Sequence, residues 1–418
     1  MLDKILSKAK SLGYSAEIFY MRRDEYSLEL ERQSRSRELT EEGYGLRVFK
    51  DKKMGFAYST VLSESLLDRA IKSWKVSEAD NSNEIPRGDK VNVKIPLYYD
   101  FDKVEVCKEF IQSFNDMKVN FVNITCESYI NEVGIVNTEG LDQRESRSGI
   151  VLSVFANYKD GNVVTPEIHE VKSSRRPSFE IVEEMKRDLE FKVNVSKKRS
   201  KLEDLISKRG GKLSVVIFTP KASSILIGPL LAHAVSQENA YRGKSSIKEG
   251  MEINAGLKII DDPTIPNSIY SRSFDGEGLQ SKVNVIIDNE VKMFLNNWYW
   301  SLKAGKEPTA SAARSYTSIP YISPTNIKIE HREKLSEDED YLVVDEIQGV
   351  HTSNFDTGEF SVVTSVSWFS KSNEGVRETT LTGSLVNLLR GIIAESNNVK
   401  QYRNIITGDL LISGLSVS

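Results

Sequence analysis

The chain has 418 residues, of which 39% are hydrophobic and 28% are charged, a balance that is typical of a soluble protein with two or three domains. Its formal net charge of −4 excludes a strongly basic surface, so neither nucleic acid nor a membrane is a predicted partner. The N-terminal segment lacks the apolar core of a signal peptide, and the chain contains 2 cysteines. These features favour a cytoplasmic protein without a disulfide scaffold.

The first half of the chain alternates strand and helix patterns. An amphipathic helix opens the sequence, and residues 16–31 then alternate polar and apolar side chains as a strand does. Two short apolar runs, 45–49 and 55–59, flank a charged turn and predict a β-hairpin. A second round of helix and strand patterns follows between residues 103 and 157. We therefore predict an N-terminal α/β domain with an antiparallel sheet over residues 1–195.

A basic stretch follows this domain. Glu203, Asp204 and several apolar residues interrupt it, so we interpret it as a solvated linker rather than a nucleic-acid contact and place the linker at 196–211. After one apolar helix, residues 212–418 contain mostly strand patterns and predict a β-rich C-terminal domain. Because helices and strands do not alternate regularly along the whole chain, the predicted fold class is α+β.

No single motif in the sequence defines an active site. The glycines of residues 273–281 lack the following helix and the lysine of a phosphate-binding loop. A catalytic zinc usually takes closely spaced protein ligands, but the histidines of this chain are dispersed. They are His169, His233, His331 and His351. Cys107 and Cys126 fall at core-facing positions of their segments, and we interpret both as small apolar side chains rather than nucleophiles.

Several longer stretches stand out by their order along the chain. They are GYGLRVFKDKKMGFAYST (43–60), SFDGEGLQSKVNVIIDNEVKMFL (273–295), SAARSYTSIPYISPTNIKIE (311–330) and GVHTSNFDTGEFSV (349–362), followed by LTGSLVNLLRGI and LLISGLSVS. Together they resemble the TldD/PmbA (TldE) family, whose members are also called modulators of DNA gyrase. The resemblance implies two domains, an N-terminal α/β one and a β-rich C-terminal one, and it implies a dimer.

The resemblance implies one of two roles for the chain. TldD-like members are metalloproteases with His-Glu-x-x-x-His on a helix, where the histidines hold zinc and the glutamate acts on zinc-bound water. In those TldD-like members, a cysteine near the C-terminus is a further zinc ligand. In this chain the motif falls on Gly228, Pro229 and His233, and residues 394–409 contain no cysteine. Pro229 is also predicted to kink the helix. We therefore predict no catalytic residue and no metal site.

The chain is accordingly predicted to be a PmbA/TldE-like subunit, non-catalytic and inactive as a peptidase when alone, with no cofactor of its own. Its predicted partner is a TldD-like catalytic subunit that carries zinc and acts on peptides or unfolded segments, and a homodimer is the predicted form in the absence of that partner. The alternative is an autonomous metallopeptidase with a non-standard metal site.

Two loops of the second half supply the candidate peptide-binding residues, which are Asp275, Glu277, Arg314 and Tyr316. We expect these polar side chains to face a groove, and the alternative is that Arg314 pairs with Asp275 or Glu277 at a seam between domains. The aromatic run NNWYW, residues 296–300, has a strand-like pattern and predicts either a buried face or a dimer contact.

Overall fold

The computed structural model describes residues 1–87, 91–209, 213, 215–336 and 339–418. Helices and strands mix in the first half and strands dominate the second, so the predicted α+β class is confirmed. Within the described ranges, none of the helices combines the length and the apolar character needed to cross a bilayer. The cytoplasmic location stays a prediction.

The N-terminal half forms one antiparallel sheet with helices packed against it. Its elements are α1 (Leu2–Ser11), β1 (Ser15–Leu30), β2 (Ser34–Lys50), β3 (Lys53–Ser59), α2 (Glu64–Val76), α3 (Lys103–Gln112), β4 (Asn120–Asn137), β5 (Asp142–Asn157), β6 (Lys159–Asp160), β7 (Val163–Val164), β8 (Ile168–Ser174) and α4 (Phe179–Ser196). The strand order is β3-β2-β1-β4-β5-β8, and each neighbouring pair is antiparallel, as predicted. Strands β6 and β7 form a separate ribbon.

Local turn chemistry explains the predicted hairpin, which is formed by β2 and β3. Asp51 and Lys52 connect the two strands with φ of 53° and 59°. Two successive left-handed residues give the turn type whose twist matches that of the flanking strands. The register continues from this turn without a shift, with Lys50 opposite Lys53 and Tyr44 opposite Ser59.

Among the described residues, two of the three buried apolar clusters of the N-terminal sheet lie under its helices. One cluster lies under α1 and α2 and includes Ile18 and Leu46, both fully buried. The other lies under α3 and α4, includes Phe110, and continues into the C-terminal half through Ile217 and Val366. The two halves of the chain therefore share a continuous apolar core.

The two cysteines lie inside this second cluster. Cys107 of α3 and Cys126 of β4 are both fully buried, as predicted for small core side chains. They also form a disulfide across a Cα–Cα distance of 5.3 Å, which the sequence analysis did not predict. The pairing arises because α3 packs directly on β4, which brings together two residues that are separated by 19 positions in the sequence.

The C-terminal half contains two main sheets and a small two-stranded ribbon. Its elements are β9 (Arg199–Ser200), α5 (Leu202–Lys208), β10 (Val215–Phe218), α6 (Pro220–Ala234), α7 (Gln237–Tyr241), β11 (Leu257–Asp261), β12 (Asn284–Asp288), β13 (Glu290–Val291), α8 (Trp298–Ala304), β14 (Ala312–Ala313), β15 (Tyr321–Ile322), β16 (Ile327–His331), β17 (Leu342–Gln348), a 3-10 turn (Val350–Thr352), β18 (Glu359–Phe369), β19 (Gly375–Val376), β20 (Thr379–Ser384), α9 (Leu385–Gly391), β21 (Ile392–Glu395), β22 (Lys400–Tyr402), β23 (Ile405–Thr407), β24 (Leu410–Ser413) and β25 (Ser416–Val417). This half is β-rich, as predicted.

The two C-terminal sheets differ in strand order. One has the order β21-β24-β10-β17-β18-β19-β9, with β20 pairing with β18 and β25. The other has the order β13-β12-β11-β16-β23-β22, and β14 and β15 form a small ribbon. Helix α6 contacts β10 and β17 of the first sheet and β22 and β23 of the second, so it packs against both.

The predicted basic linker contains regular structure where it is described. Strand β9 pairs with β19, and α5 buries Leu202 and Leu205 in the C-terminal core. Residues 210–212, where the linker ends and the second domain begins, lie outside the described residues. The domain boundaries therefore stay a prediction, and the described part of the linker packs with the second half of the chain.

The aromatic run at residues 296–300 is not a strand, so the predicted strand-like conformation was wrong. It contains the start of helix α8, because Asn297 caps the helix by accepting a hydrogen bond from the Trp300 backbone amide at 3.0 Å. Trp300 is 8% exposed and stacks edge-on against Tyr299, so part of the run is buried.

Candidate functional site

Helix α6 contains the positions that the family resemblance aligns with the zinc motif. Thr219 caps the helix, since its hydroxyl oxygen accepts a hydrogen bond from the Ala222 amide at 3.2 Å. Pro220 occupies the first turn, where its missing amide proton costs nothing. The helix then runs without a break through Pro229 to Ala234, so the predicted kink does not end it.

The geometry at the three aligned positions does not fit a zinc ion. A side chain at Gly228 would point at Ile405 of β23, whose nearest atom lies 3.5 Å from the Cβ position. Pro229 has neither a ligand atom nor a basic group. Nε2 of His233 lies 2.9 Å from the Lys244 carbonyl oxygen and 3.0 Å from Asp356 Oδ1, so this nitrogen already has two oxygen neighbours. No group of three His, Cys, Asp or Glu side chains in the described ranges is arranged to hold a metal ion.

A second candidate site lies at the seam between the two halves, where four charged side chains are buried together. Arg47 of β2 donates to both carboxylate oxygens of Glu17, at 2.9 and 3.0 Å. The same guanidinium donates to Glu277 at 3.1 Å. Arg314 donates to Glu17 at 2.5 Å and its side chain is 0% exposed. These residues, Glu17, Arg47, Glu277 and Arg314, are called the seam cluster below.

The seam cluster shows where Arg314 lies and leaves its contact with a peptide a prediction. The sequence alternative paired Arg314 with Asp275 or Glu277, but its ion-pair partner is Glu17 of the N-terminal sheet. Burial lowers the pKa of Arg314 to about 10, while Glu17 opposes that shift. Its Nε and Nη2 have no hydrogen-bond partner among the described residues. Arg314 therefore joins the two halves from a buried position through its ion pair with Glu17.

The loop that carries Asp275 and Glu277 is held by the side chain of Asp275. Asp275 accepts hydrogen bonds from the amides of Glu277 at 2.9 Å, Leu279 at 3.0 Å and Ala312 at 3.1 Å. Gly278 has φ of 80°, and a Cβ there would lie 2.5 Å from Leu141 of the N-terminal half. The turn therefore requires glycine for both its backbone conformation and its close approach to the other half.

Tyr316 makes the second contact across the seam. Its hydroxyl donates to Glu41 of β2 at 2.9 Å. Its ring lies over Gly43, where a Cβ would be 2.3 Å from the nearest ring atom. The structure thus brings all four predicted residues, Asp275, Glu277, Arg314 and Tyr316, to one seam. Their contact with a peptide stays a prediction.

A cavity of about 380 Å³ opens beside the seam cluster. Six of its lining residues combine aromatic rings with two members of the seam cluster: Arg47, Phe49, Glu277, Tyr299, Trp300 and Tyr321. Among the four predicted residues, only Glu277 lines it. The walls therefore come from both halves, and the charged side chains lie next to apolar rings.

Glu277 should give the protein a measurable pH dependence. Burial raises the pKa of Glu277 to about 7, Asp275 and Glu17 add to the shift, and Arg47 opposes it. The folded protein thus holds this proton more tightly than the unfolded chain, and the stability it contributes is present below about pH 4.5 and lost as pH rises through 7. Glu277→Gln lacks this titration, so only the wild type loses the stability as pH rises. We therefore expect the difference in free energy of unfolding, Glu277→Gln minus wild type, to increase by about 3 kcal/mol between pH 4.5 and 8.

Urea unfolding at several pH values measures this difference. Glu290→Gln is the matched control, because Glu290 is 42% exposed and pairs with Lys292 on the surface. The control should show no such increase. A constant difference for Glu277→Gln across the same range would show that Glu277 is ionised throughout.

A second buried network of charged side chains was not predicted from the sequence. Lys221 at the start of α6 lies 3.1 Å from Glu170, 3.5 Å from Asp345 and 3.0 Å from Glu346. Lys192 of α4 pairs with Glu170 at 2.5 Å and with Asp345 at 2.9 Å. Both lysines line a cavity of about 200 Å³ between the two halves. The network holds α4, β8, α6 and β17 together.

Two features of the sequence could have indicated these buried charges. Lys221 lies in the otherwise apolar and small-residue start of α6, where every residue from 220 to 224 is buried. Arg47 lies between Leu46 and Val48 in a strand segment that is buried on both faces. A charged residue in such a segment requires a partner, because an unpaired buried charge is costly.

Family models match two parts of the chain. The model described as PmbA/TldA metallopeptidase domain 1 covers residues 16–74, and the model described as PmbA/TldA metallopeptidase C-terminal domain covers residues 211–418. Because these ranges together exceed half of the sequence, the chain belongs to the PmbA/TldD metallopeptidase family, and the predicted family is confirmed.

Individual relatives agree with this class. The chain is 27% identical over 432 residues to the uncharacterized protein MJ0231 of Methanocaldococcus jannaschii, with 99% of each covered. It is 24% identical over 381 residues to the metalloprotease PmbA homolog of Buchnera aphidicola subsp. Acyrthosiphon pisum, covering 85% of this chain and 80% of the relative. The crystal structure of TldE from Thermococcus kodakarensis has a TM-score of 0.89 at 21% identity, with 100% of this chain and 99% of that chain covered. At that identity the likeness shows the fold alone.

Proposed function

We propose that this chain is a non-catalytic, TldE-like subunit that acts with a TldD-like metalloprotease. One observation supports this most directly, namely the state of α6. Gly228 packs towards Ile405, and His233 has Asp356 and a carbonyl oxygen as neighbours. Helix α6 therefore offers one imidazole where a zinc peptidase needs several ligands and a general base. In this proposal the partner subunit hydrolyses the peptide bond, and this chain contributes part of the surface that holds the peptide.

We further propose that the cavity at the seam helps to hold the peptide. Its aromatic walls suit apolar side chains of an unfolded segment, and Glu277 adds one polar contact. The other three predicted residues would not touch the peptide. They would hold the loop and the strand that form the cavity walls, and they are Asp275, Arg314 and Tyr316. The proposed peptide contact is therefore direct for Glu277 and indirect for the other three residues.

Co-expression with a TldD-like chain that carries His-Glu-x-x-x-His tests the proposal. We expect the two chains to co-purify, the pair to cleave an unfolded protein, and this chain alone to show neither cleavage nor stoichiometric zinc by elemental analysis. His233→Ala should leave the turnover of the pair unchanged, because its imidazole holds no metal in this proposal.

Two controls make the result interpretable. Replacing the motif glutamate of the partner should abolish cleavage by the pair, which assigns the chemistry to that chain. His351→Ala is the comparison for His233→Ala, because His351 is an exposed histidine outside α6. About one zinc per chain in the isolated protein, lost on His233→Ala, would contradict the proposal and favour an autonomous metallopeptidase.

A further inference from the structure

The buried network around Lys192 and Lys221 forms one wall of a cavity between the two halves of the chain. The volume of this cavity is about 200 Å³, and none of its lining residues also lines the cavity at the seam cluster. Four lysines, four acids and three aromatic rings line it. Because Lys192 belongs to α4 and Lys221 to α6, it is called the α4–α6 cavity below. The proposed function leaves this cavity without a role.

The lysines of the α4–α6 cavity are already paired. Each of the four has a carboxylate oxygen within 3.1 Å. The pairs are Lys172 with Glu184 at 3.1 Å, Lys192 with Glu170 at 2.5 Å, Lys221 with Glu346 at 3.0 Å, and Lys400 with Glu184 at 2.9 Å. The positive charges of the wall are therefore balanced within the protein, and none of these four lysines is left for a phosphate or a carboxylate ligand.

Two of the four acids lack a comparably close cation in the described structure. Asp188 lies 3.8 Å from Lys400 and 3.9 Å from Lys172. Asp409 forms no ion pair with any described residue, and burial raises its pKa to about 6 although Lys400 opposes that shift. Both carboxyl groups line the cavity. They can therefore accept hydrogen bonds from a ligand that supplies the missing positive charge.

The hydroxyl of Tyr402 also belongs to the cavity wall. Tyr402 is 4% exposed, and its hydroxyl makes no hydrogen bond within the ranges that the structure describes. Burial raises the pKa of this hydroxyl, Lys221 opposes the shift, and Glu170 adds to it. Since Lys221 and Glu170 also line the cavity, the hydroxyl lies on the cavity side of the ring. A buried hydroxyl is costly without a partner, so this one indicates the position of a ligand atom.

Aromatic rings form a further part of the wall. Phe191 and Trp368 both line the cavity and meet edge-on, with their ring centroids 5.2 Å apart. Organic cations are attracted to such rings because the face of each ring carries negative potential. Phe191 is 37% exposed, so this side of the cavity opens towards solvent. A ligand that enters here meets the rings together with the two acids.

We propose that the α4–α6 cavity binds a small primary ammonium ion with a short apolar chain. Its ammonium group would donate hydrogen bonds to Asp188, Asp409 and the Tyr402 hydroxyl oxygen, and its chain would lie against Phe191 and Trp368. The volume corresponds to roughly six waters, and so to a ligand of about six non-hydrogen atoms.

The described residues favour an organic cation over a bare metal ion. No group of three His, Cys, Asp or Glu side chains among them is arranged to hold a metal. An ammonium group instead needs hydrogen-bond acceptors in several directions, which the two acids and the hydroxyl supply. The proposal does not rest on the proposed function, because the seam cluster and its cavity contribute no residue to this site.

Binding of n-butylammonium to the full-length chain tests the proposal. This probe has a primary ammonium group, four carbon atoms and no other functional group. We expect saturation-transfer NMR to show binding with a Kd on the order of 1 mM, as a ligand of this size allows. n-Butanol is the matched control ligand, because it has the same chain and no charge. It should bind about tenfold more weakly than n-butylammonium.

Substitutions in the cavity wall locate the ligand. Asp409→Asn should weaken n-butylammonium binding about tenfold, because it removes a charge and keeps the shape of the side chain. Tyr402→Phe should weaken it about threefold, since it removes one neutral hydrogen-bonding group. Asp142→Asn is the matched control, because Asp142 is 56% exposed and lies outside the cavity wall, and it should leave the Kd unchanged. Thermal melting without ligand checks that each variant is folded.

Three results would overturn the proposal. The wild-type chain could give no saturation transfer to n-butylammonium, which would mean that water alone satisfies the acids and the hydroxyl. n-Butanol could bind as tightly as n-butylammonium, which would make the cavity a purely apolar site. Asp409→Asn and Tyr402→Phe could both leave the Kd unchanged, which would place the bound ammonium elsewhere on the chain.

Discussion

Replacing Arg47 with alanine is expected to lower the free energy of unfolding by about 3–5 kcal/mol at pH 8. Arg47 is 5% exposed and is the shared partner of Glu17 and Glu277, which are 0% and 1% exposed. Its removal leaves two buried carboxylates with Arg314 as the remaining cation of the seam cluster. Urea unfolding of the wild type and the variant measures the difference.

Arg144→Ala is the matched control for Arg47→Ala. Arg144 also pairs with an acid, Asp142, but the two side chains are 59% and 56% exposed. Exposed pairs of this kind contribute about 0–1 kcal/mol, so the control should be nearly neutral. A loss for Arg47→Ala as small as that of the control would show that water enters the seam and solvates the carboxylates.

Lys221→Met is expected to have a comparable effect, a loss of about 3–5 kcal/mol at pH 7, because it leaves buried acids with too few cations. Lys221 is 3% exposed and methionine keeps most of its apolar stem. Burial alone would raise the pKa of Glu170, but Lys192 and Lys221 lower it to about 2. That stability is present above the unfolded pKa of Glu170 and is lost as pH falls towards 2.

The pH dependence distinguishes lost charge from lost packing in Lys221→Met. If charge dominates, the difference between wild type and variant should shrink as pH falls from about 4.5 towards 2, because the wild type then loses the ion pair as well. Lys292→Met is the control, since Lys292 is 43% exposed and pairs with Glu290 at the surface. A difference that stays the same at low pH would contradict the electrostatic explanation.

Local patterns were sufficient for the elements that local chemistry determines. The β2–β3 hairpin follows from alternating side chains around Asp51 and Lys52, and α6 follows from an apolar run behind a Thr-Pro start. The strand prediction for residues 296–300 was wrong, although the aromatic composition of the run favours strands. The Asn297 side chain and the packing of Trp300 determine a helix there instead.

The seam could not be derived from the sequence in the same way. Arg47 and Glu277 are 230 positions apart, and no local period links them. Their meeting depends on how the loop around Gly278 packs against Leu141, which is a tertiary contact. Glu277 was a candidate from the sequence, but its contact with Arg47 became apparent only from the packing of the two halves.

The contact between Tyr316 and Gly43 has a consequence for how the protein opens. The ring occupies the volume that a side chain on β2 would fill, and its hydroxyl is bonded to Glu41 on the same strand. Separating the halves therefore exposes an aromatic ring and a bare stretch of strand at once, and it also uncovers the seam cluster. Because these contacts are lost together, separation of the two halves is cooperative. A weakened contact anywhere along the seam therefore raises the population of molecules in which the halves are separated.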